Sequence, residues 1–247
     1  MAKTIDRAST GIPALDEILE GGFPRPSSVL ITGDIGTNKN TFAQQIMYHG
    51  LKHGEKAIYI TVDAFPDDLL DNMAKYGWDA RKFFYEDKLV FIDGFSPRVG
   101  VESSAQYLLE NPFDLDEVIR TIVMAEREVF EDAEKARLVF SHVSTIFFTA
   151  PKEKIPYFIE RLHAEARKYN GIYMLVYTEG VKDKYTETFM KQLPDVVITL
   201  HRISDLDQTI RYFEITRCIK TRYPRNPFKY HLTRNGIVVE KPEKLVY

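Results

Sequence analysis

The chain has 247 residues, 44% of them hydrophobic and 28% charged, with a net charge of −3. This balance suits a globular protein and excludes a generally basic nucleic-acid-binding surface, while the single cysteine, Cys218, excludes an internal disulfide framework. No stretch approaches the roughly 20 apolar residues of a membrane span, and the leading MAKTIDRAST lacks an apolar signal core, so a soluble, cytoplasmic chain without a membrane partner is expected.

Residues 1–9 are polar and read as an early strand or arm. Pro13 and Gly21-Gly22 then bracket a short helix, following the preference for proline at a helix start and glycine past its end. Val29 to Thr32 reads as a buried strand. A turn with Gly33 and Gly36 follows, and an amphipathic run begins near Asn40, with Phe42, Ile46 and Met47 as its apolar positions. Strand, glycine-rich turn and helix form the context of a phosphate-binding loop. Backbone N–H groups and the electropositive helix start hold phosphate there, and a lysine, here Lys39, reaches the β/γ-phosphates. The candidate nucleotide-binding residues are therefore Gly33, Asp34, Ile35, Gly36, Thr37, Asn38, Lys39, Asn40 and Thr41.

The spacing G-x-x-x-x-G-K-[ST] is broken twice. Asn38 stands at the second glycine, a mild change because asparagine tolerates left-handed backbone geometry. Asn40 stands where a Ser/Thr hydroxyl normally ligates Mg²⁺. An amide oxygen binds a hard cation with a different reach, and Thr41 lies about 100° further round the helix.

The lead-in Thr10-Gly11-Ile12-Pro13, Leu15-Asp16, Leu19, Gly21-Gly22 and Pro24-Arg25, followed at once by strand and loop, resembles the KaiC/RadA-like branch of the RecA-superfamily ATPases. The rest of the chain can be laid on the same pattern as far as Gly236-Ile237-Val238-Val239. The resemblance implies an α/β fold with a RecA-like P-loop NTPase core: a mostly parallel twisted sheet flanked by helices, with antiparallel strands at the C-terminal edge. It also implies nucleotide at the C-terminal strand edge, and assembly into rings or filaments with nucleotide at subunit interfaces.

Further along, Ala57 to Val62 is the next strand, and Asp63-Ala64 follows it. The resembled family carries two adjacent glutamates here, the first being the base that activates water. Asp63 keeps a shorter carboxylate as a candidate base, and Ala64 has lost the second. Asp63 also reads as part of a helix N-cap region before Asp67 and Asp68. A helix carrying Leu69, Leu70 and Met73 ends near Gly77, and Lys88 to Asp93 is a strand. Residues 96–113 show no period and read as a mobile loop. Asp114 to Asp132 reads as a helix and Ala136 to Phe140 as a strand.

In the resembled family a strand matching Ala136 to Phe140 ends in an aspartate that orients the Mg²⁺ water shell; here the matching residue is Ser141, with His142 beside it. A lone histidine is ordinarily a hydrogen-bonded structural residue, and no cluster with zinc-ligand spacing lies nearby, so no metal site is expected. Lys152 to Asn170 reads as a helix, Ile172 to Tyr177 as a strand ending in Thr178-Glu179, and Thr186 to Leu193 as a short helix. Late strands at 195–200, 210–215, 230–232 and 237–239 suggest an antiparallel edge. The family often places a Lys-x-Arg pair in this tail, reaching a neighbour's nucleotide. Ungapped matching selects Arg217; a small gap selects Lys220 and Arg222.

No linker or repeat divides the sequence, so residues 1–247 read as a single domain. Four substitutions, at positions 38, 40, 64 and 141, fall on different parts of phosphoryl-transfer chemistry. The expectation is a protein inactivated as an ATPase that still senses ATP or ADP, with Mg²⁺ poorly supported. It would act as a regulatory or scaffolding partner, in self-association or beside an active paralogue. The alternatives are a weak Mg²⁺-dependent ATPase with Asp63 as base, and a single-stranded nucleic-acid binder using the basic tail.

Overall fold

The computed structural model describes residues 5–204 and 209–240. Strand β1 (Arg7–Ala8) pairs antiparallel with β2 (Phe23–Pro24), closing the lead-in around helix α1 (Pro13–Ile18). Of the polar start read as a strand or arm, Arg7–Ala8 form a short strand and residues 1–4 lie outside the described residues; Pro13 sits at the helix start.

The remaining strands form one ten-stranded sheet. In chain order its parallel part and the helices between are β3 (Ser27–Gly33), α2 (Lys39–Lys52), β4 (Lys56–Thr61), α3 (Pro66–Ala74), α4 (Ala80–Tyr85) and β5 (Leu89–Asp93). Then come α5 (Ser96–Val99), β6 (Tyr107–Leu108), α6 (Leu115–Val129), β7 (Ala136–Phe140), α7 (Val143–Thr149), α8 (Lys154–Lys168), β8 (Ile172–Thr178), α9 (Lys184–Gln192) and β9 (Val196–Ser204). The antiparallel edge is β10 (Thr209–Cys218), β11 (Phe228–Thr233) and β12 (Gly236–Val239). Spatially the strands run β12-β11-β10-β9-β3-β8-β7-β4-β5-β6.

The parallel strands are buried on both faces, and their side chains alternate between two cores. Val29, Ile31, Tyr59, Val139, Met174 and Ile198 pack under α1, α2 and α3. Leu30, Ile58, Leu138, Leu175 and Val197 pack under α6 and α8 on the other face. A period of two along each strand therefore produces three layers, helix over sheet over helix. At the β3/β4 crossover the order jumps over β8 and β7, so the C-terminal ends of β3, β4, β7 and β8 meet at one edge, the place where open α/β sheets bind ligands.

Residues 96–113, read as a mobile loop without a period, hold the short elements α5 and β6. The carboxylate of Asp93 organises them. It accepts from the backbone N–H groups of Phe95 (2.7 Å) and Ser96 (3.0 Å), from the Ser96 hydroxyl, and from the Ser103 hydroxyl (2.6 Å). Arg98 donates to the Val62 carbonyl at 3.0 Å and stacks over Phe95 and Phe113. Among the described residues no helix is long and apolar enough to cross a membrane.

Candidate nucleotide site

The glycine-rich turn has the backbone that a phosphate cradle needs. Gly33 (φ 145°) lies so close to β9 that an added Cβ would stand 2.1 Å from the Leu200 carbonyl oxygen. Asn38 adopts the left-handed conformation (φ 59°, ψ 34°) and forms the N-cap of α2 without a side-chain capping bond. Asparagine therefore does what the expected glycine would do, at a cost of about 1 kcal/mol in backbone strain. No acidic residue occupies the first turn of α2, so its free N–H groups and dipole face the loop unopposed.

Lys39 is only 7% exposed. Its ammonium folds back onto the Asp34 carbonyl at 2.8 Å, which also accepts from the Thr37 hydroxyl at 2.8 Å. Burial pushes the Lys39 pKa down to about 8, against the opposing pull of Asp34 and Glu179. The Tyr230 hydroxyl ties the loop to β11 by donating to the Thr37 carbonyl at 2.6 Å. Ile35 lies 82% exposed at the tip of the turn. A cleft of about 270 Å³ runs between the turn and His142, with Gly36, Asn38, Lys39, Asn40, Thr41 and Thr178 in its walls.

A second cleft of about 410 Å³ shares Asn40, Thr41 and His142 and adds Asp63 and Ala64. Between the two clefts three residues converge from three strand ends. Asp63 follows β4, His142 follows β7, and Asn40 lies in the first turn of α2. The His142 Nδ1 stands 2.5 Å from the Asp63 carboxylate. The Asn40 amide nitrogen stands 3.1 Å from both His142 ring nitrogens, a position that places it over the ring face. His142 itself is left-handed (φ 49°). Asp63 is not the N-cap of α3, a position held by Phe65; its partner is His142.

Of the groups a magnesium ion would use, the Asp63 carboxylate and the Ser141 hydroxyl are engaged, whereas the Asn40 Oδ1 is buried without a partner. Asn40 packs on His142, the Asp63 carboxylate is paired, and the buried Ser141 hydroxyl donates to the Ile60 carbonyl at 3.1 Å within the sheet. Among the described residues no group of three or more His, Cys, Asp or Glu side chains could hold a metal ion. The loop thus has the backbone a phosphate cradle needs, and beside it Asn40 and Ser141 stand in place of the Ser/Thr hydroxyl and the strand-end aspartate of a conventional magnesium site.

Two arginines that sequence reasoning missed flank the loop. Arg202 of β9 and Arg211 of β10 are cross-strand partners. Arg211 donates to the Gly36 carbonyl at 3.3 Å, and Arg202 lies against Gly36. By contrast, Arg217, Lys220 and Arg222 are exposed at the other end of the hairpin, where Arg217 pairs with Val197 and Cys218 with Val196. They do not join their own chain's loop, so a role at nucleotide requires a neighbour's site.

The family model described as ATPase: KaiC matches residues 8–244. Among similar proteins, a UPF0273 protein of Pyrococcus furiosus is 35% identical over 148 residues, covering 60% of this chain and 58% of that protein. A UPF0273 protein of Thermotoga maritima is 35% identical over 148 residues, covering 60% of each chain. The matched part thus spans less than two thirds of these relatives' length. Among solved structures, the KaiC-like protein PH0186 from Pyrococcus horikoshii superposes with a TM-score of 0.78 at 28% identity, covering 96% of this chain and all of that one.

Proposed function

This chain belongs to the KaiC ATPase family, and from that premise we propose that it binds ATP or ADP at residues 33–41 without hydrolysing it efficiently. In this reading it acts as a regulatory or scaffolding partner, assembled with itself or with an active paralogue. One observation carries the proposal: Asp63, the carboxylate at the position of the catalytic base, is paired with His142 at 2.5 Å. A base must take a proton from the attacking water, directly or through one bridging water. A carboxylate already holding an imidazole N–H is poorly placed to do so. Loss of such assistance typically slows a reaction by about 10²- to 10⁴-fold.

Calorimetric titration with ATP and ADP, run beside a phosphate-release assay, tests the reading. The expected result is saturable binding with release at background. Steady phosphate release that disappears in Asp63→Asn would refute it and establish the second reading, a weak ATPase. That second reading draws on Asp63 lining the same cleft as Asn40 and Thr41.

A further inference from the structure

The magnesium position of a P-loop site lies beside the residue after the lysine, bridged to the phosphates and held on its far side by a strand-end aspartate. In this chain both protein contributions are changed, and the side chain of His142 stands in the space between them. Its ring packs against the Asn40 amide on one side and pairs with Asp63 on the other. We propose that His142 takes the place of the metal, so that this chain binds nucleotide without a divalent cation and uses the His142 ring as the counter-group to the phosphates. The proposal rests on the nucleotide-binding reading above and goes one step beyond it.

Three features point the same way. First, the tautomer is set by geometry. A ring nitrogen 2.5 Å from a carboxylate oxygen carries the proton, so Nδ1–H donates to Asp63 and Nε2 is left for a ligand. Among the described residues, Nε2 meets only the Asn40 amide. That edge of the ring lies in the wall of the cleft beside the loop, where a phosphate oxygen of a bound nucleotide would meet it.

Second, the position is built into the backbone. His142 is held in the left-handed region (φ 49°, ψ 41°), which directs the chain sharply from β7 into α7. Non-glycine residues occupy that region at a cost of roughly 1–3 kcal/mol, and strain of this kind concentrates at ligand sites. The same ring lines both clefts, so a nucleotide seated on the loop meets it.

Third, the Asn40 amide nitrogen lies 3.1 Å from both ring nitrogens, over the face of His142. In a conventional site the side chain at this position faces the ion. Here the amide is packed against an aromatic ring instead, and no second oxygen ligand approaches from Ser141, whose hydroxyl is bound to the Ile60 carbonyl. Asp63 in this arrangement orients the ring and does not act as a base.

The test is calorimetric titration of the full chain with ATP and with ADP, once in excess EDTA and once in millimolar Mg²⁺, for the wild type and His142→Asn. Asparagine is chosen because it tolerates the left-handed backbone. The expected result is the same wild-type affinity within about threefold in both buffers, and a loss of tenfold or more in His142→Asn in each. Binding that tightens tenfold or more with Mg²⁺ would overturn the inference while leaving the nucleotide-binding reading intact. Binding by His142→Asn equal to wild type in EDTA would likewise overturn it. Absence of any binding would overturn both. The wild-type comparison needs no variant, so a misfolded His142→Asn does not remove the test.

Discussion

The pKa of Lys39 predicts how nucleotide binding responds to pH. Its ordinary value of 10.5 is pushed down to about 8 because the ammonium is buried. A lysine whose folded pKa lies below its unfolded value is costlier to charge in the folded state. That cost, on the order of 3 kcal/mol, is fully present below pH 8 and fades as pH rises toward 10.5. A phosphate on the loop supplies the missing counter-charge and restores the ordinary pKa. Binding is therefore independent of this group below pH 8 and requires uptake of a proton above it. Affinity should fall roughly tenfold per pH unit above pH 8, with close to one proton taken up per site near pH 9. Terminal phosphate protons, lost near pH 6, do not contribute in that range. Titrations at pH 7, 8, 9 and 9.5, repeated in buffers of different ionisation enthalpy, measure both quantities. In Lys39→Arg the guanidinium stays charged, so the slope should vanish even if affinity drops. Constant affinity from pH 7 to 9.5, without buffer-dependent heat, would refute the argument.

Three other perturbations have definite expected outcomes. Asn38→Ala should lose about 1 kcal/mol in denaturant unfolding, because alanine lacks asparagine's tolerance of φ 59°, whereas Asn38→Gly should be neutral or stabilising. Gly33→Ala should prevent normal pairing of β3 with β9 and abolish nucleotide binding, since its Cβ would meet the Leu200 carbonyl oxygen at 2.1 Å; retained binding at wild-type affinity would contradict this. Glu126 is fully buried in α6 with neither carboxyl oxygen hydrogen-bonded, and burial, with help from Glu165, raises its pKa to about 8. Its folded state therefore favours the neutral acid, and wild-type stability should decline between pH 4.5 and 8. Unfolding midpoints of Glu126→Gln across pH 5–8 should lack this decline and exceed wild type by about 3 kcal/mol at pH 7.

How much of this was legible in the sequence follows from how local each feature is. The candidate phosphate loop is a single turn, so its strand, glycines and lysine could be read in line. Long helices such as α6 and α8 announced themselves by period, and their observed limits fall within a few residues of those expected. Three short helices went unread: α5 within 96–113, α7 and α4. Helix α7 carries Val143, Thr145 and two phenylalanines, residues of strand character, and is helical because its apolar side packs on β8 and α8. Helix α4 is six residues long and has a single buried position, Ala80, so no period could show. The contacts of Asp63, His142 and Asn40 were illegible for a different reason. They lie 23 to 102 positions apart in sequence and meet only because the β3–β4 crossover brings β7 and β4 side by side. Arg202 and Arg211 depend likewise on the register in which β9 and β10 pair.

That difference in locality also explains how binding and hydrolysis can part company in this fold. Holding phosphate needs one turn: Gly33, a left-handed residue at 38, a helix start and Lys39, all within seven positions. Each is retained here in geometry, including the costly burial of the ammonium. Hydrolysis needs charges from separate strand ends, and those positions now carry Asp63, Ser141 and His142. The two demands compete for a single group, because Asp63 either orients His142 or accepts a proton from water. Asp63→Asn separates them. If Asp63 orients the ring, this variant should weaken nucleotide binding together with His142→Asn, and the double variant should lose no more than the worse single, since coupled groups are not additive. If Asp63 is a base, the variant should leave affinity unchanged and remove turnover alone. Additive losses in affinity would mean that the Asp63–His142 pair does not work as a unit.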